Sequence, residues 1–185
     1  MALKPKPRTL RGWRSVRRLT PDGAVESEEQ AQLETPVVAH SDDGGRELGR
    51  RYWAEVERST LGLVRVRPTG AGGLEENVDL RVLGRGPALL VLAPAEIAVS
   101  DDEVACRHAI LGGILARSPR GSLTLTQRRA PDPSLRSVIA GFYPRLAARP
   151  GKPSWSRPLY GLVQHRLHVW LSRRFFRALL EDRAR

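Results

Sequence analysis

The chain reads as an α+β protein, with a curved antiparallel β-sheet of six to seven strands and one long C-terminal helix packed across it. Three observations predict this. Between Leu61 and Tyr143 apolar residues recur with a period of two, in short segments separated by Gly, Pro, Asp and Ser clusters. From Pro158 to Arg185 apolar residues and arginines fall instead in helical stripes. Ahead of both, Leu48, Tyr52 and Val56 recur every fourth residue, which is one face of a helix.

Residues 1–32 combine prolines, arginines and an acidic Glu26–Gln32 patch without sustained periodicity, and are expected to form a basic, mobile arm. Residues 33–185 are then one α+β domain. Its first strand is expected within Leu33–His40, where Pro36 confines it to an edge or a strand start. A helix follows at about 45–58, with Asp42 or Asp43 capping its first amides. Leu61 to Pro68 alternates as a strand, and the Gly-rich turn 69–73 joins it to Val78, Leu80 and Val82 in a hairpin. Ala88–Leu92 and Glu96–Val99 make one bent strand or two short ones around Pro94. Val104, Cys106, His108 and Ile110 share one face of the next strand, which bends or bulges at Gly112 and Gly113. Ser122–Thr126 is the cleanest alternation, and Ser134–Tyr143 completes the sheet. Four prolines within 144–158 exclude a helix or central strand there.

The net charge of +11 is uneven: the first 20 residues carry seven basic residues and no acid, and residues 141–185 carry ten basic residues against Glu181 and Asp182. Such ends favour an anionic membrane surface or nucleic acid, through Arg11, Arg14, Arg17, Arg18, Arg166, Arg173 and Arg177. Only three of the 31 basic residues are lysines, a skew that genomic base composition produces without selection for binding, so a solvated basic surface accounts for the charge equally well. The single cysteine, Cys106, excludes an intramolecular disulfide. With no apolar h-region at the start and no apolar run near 20 residues, the expectation is a soluble, cytoplasmic protein.

No residue cluster has the specificity of a phosphate loop, zinc finger or nucleophile elbow. Cys106 and His108 lie on one strand face, but residues two apart on a strand are separated by about 6.5 Å between α-carbons, a long reach for a nucleophile pair. His108 is expected to be a hydrogen-bonded core histidine, or failing that a polar group of a pocket. His165 and His168, three apart on the last helix, lack a carboxylate or thiol to complete a metal set and are expected to be exposed. Glu96 is expected at a strand edge in water. No catalytic residue, metal or cofactor is assigned.

The order of short strand, helix, six strands and long terminal helix, with Ile110-Leu111-Gly112-Gly113-Ile114-Leu115 leading to Ser122-Leu123-Thr124-Leu125-Thr126, resembles the helix-grip fold of the StAR-related lipid-transfer and polyketide cyclase superfamily over residues 33–182. The chain has room for about one helix where that family commonly has two. The resemblance implies a cavity between sheet and terminal helix for a hydrophobic or amphipathic small molecule or lipid. Leu63, Val82, Cys106, His108, Leu123, Leu125, Val163, Leu167 and Trp170 are its candidate lining. Two other functions stay open: a basic adaptor that docks to a membrane surface, nucleic acid or protein, and a cyclase- or hydrolase-type enzyme.

Overall fold

A computed structural model of the chain describes residues 10–69, 76–145 and 156–182, and in the last segment it describes side chains from His168 to Glu181. Among the described residues nine strands and two helices occur in the order β1 (Arg11–Leu19), β2 (Val25–Gln32), α1 (Asp42–Ser59), β3 (Val64–Thr69), β4 (Asn77–Val82), β5 (Ala88–Leu92), β6 (Glu96–Val99), β7 (Glu103–Gly112), β8 (Ser122–Arg128), β9 (Ser134–Phe142) and α2 (Ser156–Asp182). The sheet runs β1-β2-β9-β8-β7-β5-β4-β3, with β6 on the same edge of β7 as β5. Every named pairing is antiparallel. The α+β class and the C-terminal helix agree with the sequence reading. The strand count is higher than six to seven.

The excess comes from the expected arm. Residues 11–32 are a β-hairpin of the sheet, and β2 pairs along its length with β9. Residues 1–9 of that expectation lie outside the described residues. The turn is built by Thr20-Pro21-Asp22-Gly23, where Gly23 takes the positive φ of 88° that a side chain disfavours. Trp13 fastens the outer strand, its ring meeting Phe176 of α2 edge to face with centroids 5.9 Å apart. The strand expected within Leu33–His40 does not form. That segment is a loop whose Val37 and Val38 amides donate to Gln127 Oε1 at 2.6 and 2.9 Å, so a side chain supplies the partners a strand neighbour would have given.

The remaining elements follow local chemistry. In α1 the Ser41 hydroxyl accepts from the Gly44 amide at 3.3 Å, Asp42 and Asp43 occupy the first turn, and Leu48, Tyr52 and Val56 are buried on one face. Gly45 and Gly49 bring this helix directly onto the sheet. A Cβ at Gly49 would stand 2.8 Å from Cys106 Sγ, and one at Gly45 2.6 Å from Ile97 Cγ2. Both helices cover the same sheet face, α1 over β6, β7 and β3, and α2 beside it over β2. Phe175, Phe176 and Leu179 of α2, with Tyr52, Leu125, Leu135 and Ala31, form a filled interior between them.

Candidate functional site

Under the described half of α2 the sheet is polar where a core strand is usually aliphatic. In register across three strands, Ser15, Glu29 and Ser137 stand side by side on the helix-facing side, with Ser27 two residues from Glu29. Glu29 and Ser137 are wholly buried. Ser27 Oγ donates to Glu29 Oε1 at 2.7 Å, and Ser15 Oγ approaches the same oxygen at 3.4 Å. From above, buried His168 of α2 brings Nε2 to 2.6 Å from Glu29 Oε2. This is an ion-pair distance, although neither atom makes an aligned hydrogen bond. Ser172, one helical turn further on, is also buried, and neither its hydroxyl nor that of Ser137 has a hydrogen-bond partner among the described residues. Tyr52 of α1 closes the cluster. Burial, and secondarily the charge of Glu29, pushes its phenol above the ordinary range, so it stays protonated.

This arrangement cross-links helix to strand. A serine nucleophile needs its hydroxyl to donate to an imidazole acting as base, and Ser27 donates to the carboxylate instead. Among the described residues no three His, Cys, Asp or Glu side chains are grouped to hold a metal ion.

A second buried group lies on β7. His108 Nδ1 meets the Ala93 carbonyl at 2.9 Å, which sets its proton there, and leaves Nε2 facing Trp53 Nε1 at 3.4 Å and Cys106 Sγ at 3.6 Å. The side chains thus converge more closely than their α-carbon spacing implies. Burial pushes the Cys106 thiol up to about 11 and lowers the His108 pKa, against smaller opposing effects of the Ala93 carbonyl and Glu96. At neutral pH both are uncharged, so the pair does not present a thiolate. His108 is a hydrogen-bonded core histidine.

Because the folded-state pKa of His108 lies below its ordinary value of 6.5, the unfolded chain takes up the proton first as pH falls. The stability owed to neutral His108 is therefore complete above about pH 6.5 and declines below it. Urea unfolding midpoints measured from pH 7.5 to pH 5 should fall in the wild type, and His108→Phe should flatten that slope.

The third feature is apolar. Val64 and Val66 on β3, Val78 and Leu80 on β4, and Leu90 on β5 share the helix-facing side through the pairs Val64 with Val82, Val66 with Leu80, and Leu80 with Leu90. They are only half-buried, and Leu92 and Ile110 continue them into the core. Of the expected pocket residues, Cys106, His108, Leu123 and Leu125 are buried in the layer beneath the helices, whereas Leu63 and Val82 are exposed at the end of the sheet. Trp170 is 39% exposed, with the Arg174 guanidinium against its ring. The side chains of Val163, Leu167, His165 and Arg166 lie outside the described residues.

Several of the expected polyanion contacts face acids. Arg11 pairs with Glu34 at 3.2 Å, Arg17 stands in register with Ser27, and Arg18 with Glu26. Arg14, Arg18, Glu26 and Glu28 together line an open depression of about 430 Å³ on the outer side of the hairpin. Arg173 stacks on Trp13, and Arg177 is exposed. Glu96 is exposed and paired with Arg107 at 2.6 Å.

Sequence reasoning missed Glu29, Ser27 and the burial of His168. No family model matches this chain, nor does any curated protein or solved structure. No helix among the described residues is long and apolar enough to cross a membrane.

Proposed function

We propose that the protein binds a hydrophobic or amphipathic small molecule or lipid, in a helix-grip arrangement, on the helix-facing side of β3, β4, β5 and the end of β7. The half-buried row Val66, Leu80 and Leu90, continuous with Leu92 and Ile110, is the observation that carries this reading. Aliphatic walls with few polar groups suit an apolar guest, because burial of its surface supplies affinity without demanding directional partners. His108 and Trp53 are the polar groups at the inner margin. The C-terminal half of α2 has no room for such a guest, since Phe175, Phe176 and Leu179 fill that region.

A hydrolase- or cyclase-type enzyme would draw on Glu29, His168 and the serines around them. The Ser27 hydroxyl is already committed as a hydrogen-bond donor to the carboxylate and not to the imidazole, which favours the binding reading.

The test is mass spectrometry of an organic extract of the purified protein, together with titration by an environment-sensitive naphthalene dye. Wild-type protein should carry an apolar compound and bind the dye. Leu80→Trp, which fills this apolar row from a half-buried position, should weaken dye binding by at least about tenfold while the chain stays folded. An empty extract, with dye binding in Leu80→Trp and Leu90→Trp equal to that of wild type, would overturn the reading.

A further inference from the structure

We propose that one end of the sheet, formed by the α1–β3, β4–β5 and β7–β8 connections, is a docking surface for an anionic lipid bilayer. The proposal is independent of the ligand site. Among the described residues, six of the nine exposed large hydrophobic side chains lie here: Leu61, Leu63, Val82, Leu83, Leu111 and Ile114. Leu61 is 91% exposed and Leu83 63%. The three connections form one rim, since the Leu83 amide donates to the Leu63 carbonyl at 2.7 Å and the Ile114 amide to the Ala88 carbonyl at 3.0 Å.

Charge points to the partner. Segments 60–67, 81–88 and 110–121 hold Arg65, Arg67, Arg81, Arg85, Arg117 and Arg120, and no acid, in a chain with 20 Asp and Glu. Arg65 and Arg81 are paired to Glu57 and Asp79, whereas Arg85, Arg117 and Arg120 make no ion pair with a carboxylate among the described residues, Arg117 donating instead to the Asp22 carbonyl at 3.2 Å and lying over the Tyr143 ring. A second copy of the same rim would meet like charge. Nucleic acid offers phosphates but no apolar layer for the leucines. A bilayer surface of anionic lipid offers both, phosphates for guanidinium groups and acyl chains just beneath.

The backbone gives a separate indication. Leu61 and Leu83 have φ of 53° and 52°, the left-handed region that leucine disfavours and glycine tolerates. Their side chains project into water, so nothing within the fold compensates for choosing leucine over glycine there.

Cosedimentation should use vesicles of phosphatidylcholine with about three parts in ten phosphatidylserine, against phosphatidylcholine alone. Wild type should bind the anionic vesicles selectively, and less as salt rises. The double change Leu61→Glu with Leu83→Glu should reduce binding at least about tenfold. Leu61→Gly with Leu83→Gly should also weaken binding while leaving the thermal midpoint equal or higher, a result that loss of folding would not give. Arg85→Glu with Arg117→Glu should abolish the preference for anionic lipid. The proposal is overturned if wild type fails to bind, binds both vesicles equally, or binds as well with glutamates at positions 61 and 83. A dimer in lipid-free solution that those glutamates dissolve would overturn it too.

Discussion

His168→Leu should lower the unfolding free energy by roughly 3–5 kcal/mol, or about 10 °C in the thermal midpoint, because it strips the partner from a wholly buried carboxylate. Glu29 then keeps only the Ser27 and Ser15 hydroxyls. Two hydroxyls do not replace an imidazole for a carboxylate taken out of water. The double variant Glu29→Met with His168→Leu should recover most of the loss, since an apolar pair of similar volume removes the cost of burying the charge altogether. Urea unfolding of the four members of this cycle measures the coupling directly. If His168→Leu were no less stable than wild type, the pair would not be the cross-link between α2 and β2 described above.

Phe176→Ala should cost a similar amount, about 3–5 kcal/mol, by opening a cavity where no neighbour can collapse. The side chain is fully buried, tilted against Phe175 and edge to face with Trp13. Its loss also frees the outer strand β1, which has few other apolar anchors. Hydrogen exchange in Trp13–Leu19 should accelerate more than in β8, separating local release of the hairpin from global destabilisation. Uniform acceleration would show that β1 does not depend on this ring.

The middle of the sheet was legible because one of its faces is aliphatic. Cys106 and Leu125, or Val66 and Leu80, give the period of two that marks a half-buried strand. Helix α1 was equally plain in Leu48, Tyr52 and Val56. The hairpin of β1 and β2 escaped because its buried side is Ser27, Glu29 and Ala31, and its open side carries Glu26, Glu28 and Gln30, so hydrophobicity does not alternate at all. Two signals were nonetheless present: Pro21-Asp22-Gly23 is a turn sequence, and basic Arg14–Arg18 faces acidic Glu26–Glu29 across it. The Glu29 and His168 site was harder to see. Nothing in a helix rich in arginine marks the His168 imidazole as pointing inward, and its partner lies on a strand 139 positions earlier.

Open sheets invite further strands, since each margin presents unpaired amides and carbonyls. Here the two ends of the eight-strand path, β1 and β3, resist extension. Along β1 the backbone is irregular between Arg11 and Arg14, and four arginines project from it; along β3, Arg65 and Arg67 precede Pro68, which has no amide to donate. Lateral growth into fibrils by addition of identical chains is thereby discouraged at each side.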